Sequence, residues 1–429
     1  MDFSPSPQVA GLLERVGGFI AEHVDPIEGE ALEALDEEVR PGVPYPRVLV
    51  ELREQARAEG LWNLFLPGEH GAGLTNWEYG LLCEAMGRNL VAPMVFNCSA
   101  PDTGNAEILS DHGTDEQKER WLQPLLEGDI RSCFSMTEPE TAGSDPTGLQ
   151  TSARLEGDEW VIDGHKWYTS GLNGAEVAIA MIVTDPEAAP HKRASMILVP
   201  VDAPGFNPVR PVSVMGHDGG PGHWEVRYDG CRVPASNLLG ERGAGFVIAQ
   251  DRLGPGRIHH CMRALGGAER ALEMMCRRAN GREAFGGRLA DKQFVQDFVA
   301  KSRMEIDGAR LMVLHAAWKM DTEGKRAARQ SISMIKVIAA NVFMDVLDRA
   351  IQVHGALGVS DDTPLALMWR QGRWLRLADG PDEVHKMVIA MRELNRWPAE
   401  AGAEQAGNGG DPAAAVAQAP SPSGAGAPA

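Results

Sequence analysis

The chain has 429 residues, 43% hydrophobic and 24% charged, and its 41 basic and 60 acidic side chains give a net charge of −19. That composition suits a globular protein with a sizeable core, and the length suits two or three domains. So acidic a surface disfavours broad contact with nucleic acid or an anionic membrane, while leaving room for a local basic site.

The first ten residues lack a basic region followed by an apolar core, so no secretory signal is expected. No apolar run of about 18 residues is seen that would insert in a membrane. Residues 8 to about 129 read as helices. Asp115-Glu116-Gln117-Lys118 opens one of them with acidic residues, which a helix N-terminus favours, and Trp121, Leu122, Leu125 and Leu126 follow at helical spacing. Pro-rich residues 41–46 and Gly-rich residues 68–73 separate the helices.

The character changes near Arg131. Trp160-Val161-Ile162-Asp163-Gly164 reads as a strand ending in an Asp-Gly turn, and 177–183, 196–201 and 224–228 read as further strands. Short strands at regular spacing up to about Pro234 suggest a barrel or a sandwich. From about Gly243 the helical pattern returns. Leu311, Leu314, His315 and Trp318 stand at i, i+3, i+4 and i+7, and Ile335, Ala339, Val342, Val346, Ala350 and Val353 continue in steps of four and three. Both stripes are expected to pack in the core of a bundle. After Pro398 the chain turns low-complexity, and 401–429 reads as a disordered tail.

Generic signals exclude several chemistries. The Gly-rich stretches 216–222 and 240–245 match no P-loop, and no G-x-G-x-x-G follows a strand, so a Rossmann nucleotide site is not supported. No H-x-x-x-H pair occurs, and the adjacent His259 and His260 point about 100° apart on a helix, so no metal site is expected. The cysteines Cys83, Cys98, Cys133, Cys231, Cys261 and Cys276 never form a C-x-x-C pair. Neither disulfide framework nor zinc site is suggested, and a cytoplasmic location fits best.

Five segments stand out in order. They are Phe134-Ser135-Met136-Thr137-Glu138-Pro139 with Ala142-Gly143-Ser144-Asp145; Gly164-His165-Lys166-Trp167-Tyr168-Thr169-Ser170-Gly171; and Tyr228-Asp229-Gly230-Cys231-Arg232-Val233-Pro234 running on to Asn237-Leu238-Leu239-Gly240 and Gly243-Ala244-Gly245-Phe246. The last two are Arg282-Glu283-Ala284-Phe285-Gly286 with Gln293, and Gln352-Val353-His354-Gly355-Ala356-Leu357-Gly358. Over residues 8 to 397 this series resembles the acyl-CoA dehydrogenase family, with one extra residue in the first loop at Glu140-Thr141. The resemblance implies an α+β multidomain fold: an N-terminal helical domain (1–129), a middle β-barrel (130–240) and a C-terminal four-helix bundle (241–397), before the tail (398–429).

It also implies an FAD flavoenzyme. Met136, Thr137, Tyr168 and Ser170 match barrel positions that touch the isoalloxazine ring, where hydroxyls can tune its electron affinity. Arg282, Gln293, Gln352 and Gly355 match positions holding the ADP half, typically of a neighbouring subunit. Arg282 there offers a fixed positive fork to pyrophosphate. Phe134, Ser144, Phe285, Gly380 and Asp382 complete the implied cofactor set. Ser144 and Arg257 match acyl-CoA contacts, and Arg257 lies where Gly254-Pro255-Gly256 is expected to interrupt a long helix.

The reaction implied is α,β-dehydrogenation of an acyl thioester to the trans-2-enoyl-CoA. A carboxylate takes the α-proton while the β-hydride goes to flavin N5, and a dry site that raises the carboxylate pKa is expected. The family's common Glu-Gly base is replaced here by Asp379-Gly380, and the alternative base position on the earlier helix is Gly256. Asp379-Gly380-Pro381-Asp382-Glu383-Val384-His385 and Gly254-Pro255-Gly256-Arg257-Ile258-His259-His260 both resemble the subgroup of family members ten and eleven, where Asp is usual. Asp is one methylene shorter than Glu, and Ala378 stands where an aromatic is common. Together these suggest a branched, cyclic or otherwise substituted acyl group. The remaining reading of Asp379 is a cap on the helix starting near Asp382. Fatty acid β-oxidation, transfer of electrons to an electron-transferring flavoprotein, and a homodimer or homotetramer are further implications. Two other readings stay open on the same fold: a nitroalkane-oxidase-like oxidase, and a DNA-binding flavoprotein of the alkylation-response type.

Overall fold

The computed structural model describes residues 4–40, 42–66, 71–217 and 222–397; the low-complexity residues 398–429 and parts of the Gly-rich stretches 68–73 and 216–222 lie outside these. Among the described residues eight α-helices come first: α1 (Pro7–Phe19), α2 (Glu28–Glu38), α3 (Arg47–Ala58), α4 (Asn76–Gly87), α5 (Ala92–Val95), α6 (Asp102–His112), α7 (Asp115–Gln117) and α8 (Gln123–Glu127). Threonines set two of the starts. Thr75 and Thr114 form capping boxes with Glu78 and Gln117, satisfying amides that the first helical turn leaves unpaired.

The sheet follows, with β1 (Arg131–Ser135), β2 (Ser152–Glu156), β3 (Glu159–Ser170), β4 (Ala175–Val183), β5 (Ala194–Pro200), β6 (Phe206–Pro211), β7 (His223–Pro234) and β8 (Leu238–Leu239). Its order is β6-β7-β3-β1-β4-β5-β8, and β2 pairs with both β3 and β4. β1 meets the C-terminal end of β3 at Ser170 while β2 meets its first half, so β1 and β2 fill one lane end to end. The loop joining them carries Met136, Thr137 and Ser144. β6, an edge strand, contains Pro208 and Pro211, which have no amide to donate.

Strand alternation shows how the sheet is used. On β4 and β5, Val177, Ile179, Met181, Met196 and Leu198 face the helical core. Their neighbours Ala178, Ala180, Ile182, Ile197 and Val199 join Trp160, Phe206 and Tyr228 in a second core. Residues from both ends of the sheet meet in that cluster, so the sheet curls over its own interior, barrel-like, although its hydrogen-bond order has two edges. The expected Asp-Gly turn at Asp163-Gly164 is not there. β3 runs through it, with a register shift between Ile162 and Gly164 against β7. Glycine is needed because a Cβ at 164 would lie 2.6 Å from the Cα of Thr151.

The C-terminal part comprises α9 (Gly245–Gly281), a hairpin of β9 (Glu283–Ala284) and β10 (Gly287–Arg288), then α10 (Gln293–Glu323), α11 (Lys325–His354), α12 (Leu365–Leu375) and α13 (Asp382–Leu394). Two expectations fail here. α9 is unbroken, with Pro255 inside it: proline's fixed φ is helical, so the missing hydrogen bond and the ring's crowding of the preceding turn are local costs within a helix of 37 residues. The stripe on α10 is not core: Leu311 is 49% and Trp318 38% exposed, and only Leu314 of the four is buried. A helix with apolar residues on two faces reads the same as one with a broad buried face. The α11 stripe is buried as expected. α11 is also long and apolar enough by composition to cross a membrane, yet more than half of that window is covered, with α9, α10, α12 and α13 packed against it.

Candidate active site

α12 ends at Leu375, and the chain turns through 376–381 before α13. The amides of Leu377 and Ala378 both donate to the Trp374 carbonyl, at 2.8 and 2.9 Å. The buried Asp382 closes the turn: its amide donates to the Arg376 carbonyl at 3.1 Å. Its Oδ2 accepts from Arg376 Nε at 2.8 Å and Asn341 Nδ2 at 3.0 Å, leaving Oδ1 buried without a partner. Asp382 therefore has internal partners rather than an open carboxylate.

This turn holds Asp379 at φ +56° and Gly380 at φ +101°. A side chain at 380 would come within 2.9 Å of His385 Nε2, so glycine is required. The Asp379 carbonyl accepts from Arg257 Nε at 3.0 Å and from His385 Nε2 at 3.3 Å. Its carboxylate does not cap α13, whose preceding residue is Pro381 and which has no side-chain cap. Instead Oδ2 lies 3.5 Å from His260 Nε2 on α9. Arg257 thus holds the backbone of the carboxylate residue.

Electrostatics run opposite to the expectation of a raised pKa. Burial does push Asp379 up, but the neighbouring His260 imidazole and the positive charges of Arg252, Arg257 and Lys336 outweigh it and hold the carboxyl below its ordinary value. The side chain keeps 23% of its surface exposed, so water trims that pull without reversing it. The group is ionised at neutral pH and open on one side. The surrounding imidazoles are neutral: burial, then Arg263, pushes His260 down to about 3, and burial, then Arg257, takes His385 to about 4.

The sheet reaches this carboxylate by two routes. Arg252, buried on α9, lies over the Phe134 ring at 4.1 Å and donates Nε to Asn105 Oδ1 at 3.0 Å. On the other side, Ser170 Oγ is 2.8 Å from His223 Nδ1 and donates to the Tyr168 carbonyl at 3.1 Å. The His223 ring lies 5.6 Å from Tyr168 and 5.9 Å from Trp374 at the end of α12. Phe134, Tyr168, Ser170, Arg257, Ala378, Asp379 and Gly380 are therefore brought to one groove between sheet and bundle. Met136 and Thr137 join them through a buried ion pair. Lys166 Nζ donates to the Met136 carbonyl and to Glu138 Oε1, both at 2.8 Å, while Glu138 accepts from the amides of Gln150 and Thr151. The Trp167 amide donates to the Thr137 carbonyl at 3.0 Å.

The other predicted residues lie elsewhere. Ser144 is exposed in the loop after β1. Arg282 follows the far end of α9, roughly 37 Å beyond Arg257 at 1.5 Å per residue, and is exposed. Phe285, at the tip of the β9–β10 hairpin, is 99% exposed with φ +52°. Gln293 opens α10, and Gln352 and Gly355 close α11; all three are exposed. Backbone strain marks both places: of the six described non-glycine residues with positive φ, three are Tyr168, Phe285 and Asp379. Such strain persists where the surroundings over-determine it and gathers at functional sites.

Sequence reasoning missed Arg252, Arg263, Lys336, His223 and His385, and it weighed His260 only as a metal ligand. A signal existed: Arg252, His260 and Arg263 lie on one side of α9 at helical spacing, and Lys336 interrupts the buried stripe of α11. Two surface hollows of 410 and 490 Å³ lie over the sheet instead, away from Asp379. Glu138, Glu140, Asp163 and Asp229 line the first, an acidic setting ill suited to a phosphorylated ligand.

Three family models match the chain in order: acyl-CoA dehydrogenase N-terminal domain over residues 7–129, middle domain over 133–231 and C-terminal domain over 243–394. FadE2 of Mycobacterium tuberculosis, named as an acyl-CoA dehydrogenase, is 50% identical over 403 residues, which is 92% of this chain and 98% of that one. Acyl-CoA dehydrogenase family member 10 of Mus musculus is 50% identical over 398 residues, 91% of this chain but 37% of its own length. The chain thus spans little more than a third of that longer relative. A solved structure from Mycobacterium abscessus, described as an acyl-CoA dehydrogenase, superposes with a TM-score of 0.88 at 48% identity over 92% of this chain and all of the other.

Proposed function

The chain belongs to the acyl-CoA dehydrogenase family, and from that premise we propose that it oxidises an acyl-CoA thioester to the 2-enoyl-CoA with Asp379 as the base. The observation that carries this reading is the Asp379 carboxylate itself. It is ionised, partly open, and held on a strained turn where the sheet and bundle motifs meet.

FAD fits the residues present. Phe134, Met136, Thr137, Tyr168 and Ser170 border the groove beside Asp379. Arg282, Phe285, Gln293, Gln352 and Gly355 form an exposed second set that in one chain stands too far off to share it. A homodimer, or a tetramer built from two, joins the halves when Arg282 and its neighbours serve the groove of a partner copy. The exposed Phe285 and Phe294 fit burial in such a contact. FAD, when bound, supplies the acceptor for the β-hydrogen and its electron pair, which an electron-transferring flavoprotein then relieves.

The chain's own residues do the rest. Asp379 takes the α-proton. Arg257 and His385 fix its backbone, so the carboxylate is aimed by the turn rather than by a longer side chain. Arg252, Arg257 and Lys336 keep it ionised, which makes it a ready but weak base until substrate displaces the remaining water. Gly256 lies on the same helical face as Arg252 and His260, and a Cβ there would meet nothing within 4 Å. That space, with Ala378, favours an acyl group branched or substituted near the β or γ carbon.

The test is anaerobic titration of the holoenzyme with butyryl-, isobutyryl-, isovaleryl- and octanoyl-CoA, following flavin absorbance. Asp379→Asn is expected to bind FAD and lose bleaching by at least about a hundredfold. Undiminished bleaching would remove Asp379 as the base, and preference for the short straight chain would remove the substituted acyl group.

A further inference from the structure

His260 has a defined tautomer. Arg263 Nη2 lies 3.3 Å from His260 Nδ1. A guanidinium only donates, so Nδ1 must accept, and the ring proton of the neutral imidazole is assigned to Nε2. Nε2 is the atom 3.5 Å from Asp379 Oδ2. Arg263 is itself anchored, with Nη1 donating to the Cys98 carbonyl at 3.4 Å. The result is a line from Arg263 through His260 to Asp379, with one donor aimed at one carboxylate oxygen.

We propose that His260 is a positioning residue for the base: held in one tautomer by Arg263, it steers Oδ2 of Asp379 so that Oδ1 is left to meet the substrate α-carbon. This inference rests on Asp379 being the base. A carboxylate one methylene shorter than the family's usual glutamate has less reach to adjust, so a fixed orientation matters more. The 3.5 Å separation is long for a hydrogen bond, and contacts of this kind tighten when substrate closes the site. His260 does not take the proton onward. Arg252, Arg263 and Lys336, with burial, oppose an imidazolium there, and Asp379 alone favours it.

The roles separate on two substitutions that both keep the position polar. His260→Asn retains an acceptor near Nδ1 for Arg263 but withdraws the donor from Asp379. His260→Gln returns a donor near the place of Nε2. The probe is whichever of butyryl-, isobutyryl-, isovaleryl- and octanoyl-CoA bleaches the wild-type holoenzyme fastest. For His260→Asn, the rate of bleaching at saturating probe is expected to fall about tenfold to a hundredfold. KM should move less than about threefold, with FAD content unchanged. The acidic limb of the pH–rate profile should move upward, because the lost donor had favoured the ionised carboxylate. His260→Gln should restore both rate and limb in part. A His260→Asn enzyme that bleaches at the wild-type rate with an unmoved limb overturns the proposal, as does a His260→Gln enzyme no better than His260→Asn. Asp379→Asn distinguishes the failures. If that variant still bleaches, the base assignment has failed; if it is inert while both His260 variants are normal, only the positioning role has.

Discussion

Lys166 and Glu138 are 0% and 1% exposed, and each has more partners than the other alone supplies. Their pairing holds Glu138 below its ordinary carboxyl value despite burial, while burial brings Lys166 down to about 8. The pair ties the Met136-Thr137 segment to β3, so its loss should disturb that segment as well as stability. Lys166→Met leaves a buried carboxylate with only two amide partners. We expect a loss of about 3–5 kcal/mol in chemical denaturation, together with reduced FAD content in the purified protein. A variant as stable and as yellow as wild type would show that the two amides suffice. At this same scale the sequence named Met136, Thr137 and Asp379 from motif order, but nothing local in the chain announces that Lys166 is inside. Its burial depends on Glu138, twenty-eight positions earlier in the loop after β1.

Helix α9 crosses α4 and α11 at glycines. A Cβ on Gly266 would lie 2.1 Å from the Glu84 carbonyl oxygen, one on Gly87 2.2 Å from that of Arg263, and one on Gly267 2.7 Å from the Phe343 ring. The backbones of α4 and α9 are therefore in contact, and Arg257, His260 and Arg263 are delivered by the same helix one to three turns earlier. Gly266→Ala must push α4 and α9 apart. It is expected to destabilise by about 1–3 kcal/mol or more in thermal or chemical unfolding. Gly11→Ala on α1, where a Cβ meets nothing within 4 Å, should instead be neutral or stabilising by up to about 1 kcal/mol. Opposite signs for one chemical change would isolate the crossing as the cause; equal signs would exclude it. The sequence presented these glycines as weak points of a helix, since helical periodicity says nothing about what passes on the other side. Pro255 misled in the same way, and so did Leu311 and Trp318, whose apolar character predicted burial within the chain.

Over the whole molecule the net charge is −19, yet the groove is lined by cations and neutral histidines. Those histidines set a pH limit. His385 is held at about 4 in the folded chain, against 6.5 unfolded, so the unfolded state binds more protons between those values. The stability this contributes is complete above about 6.5 and is lost as pH falls toward 4. For His385 alone it is on the order of 3 kcal/mol. The unfolding midpoint is therefore expected to drop steeply between pH 6.5 and 4 and to be nearly flat above 6.5. His385→Gln, which cannot titrate, should flatten that slope; an unchanged slope would assign the acid lability to other groups.

Composition and motif order were enough to determine the fold class, the family and the Asp379-Gly380 turn. These depend on local spacing and on which side chains occur together. The tertiary structure alone decided which charges surround Asp379, and so the direction of its pKa. It also turned Arg257 and His385 onto the Asp379 carbonyl and aimed His260 at its carboxylate. The physical reason is range. A strand's alternation or a turn's glycine is written within a few residues, whereas the field at one carboxylate sums groups from α9 and α11, which meet the turn before α13 only when the bundle packs.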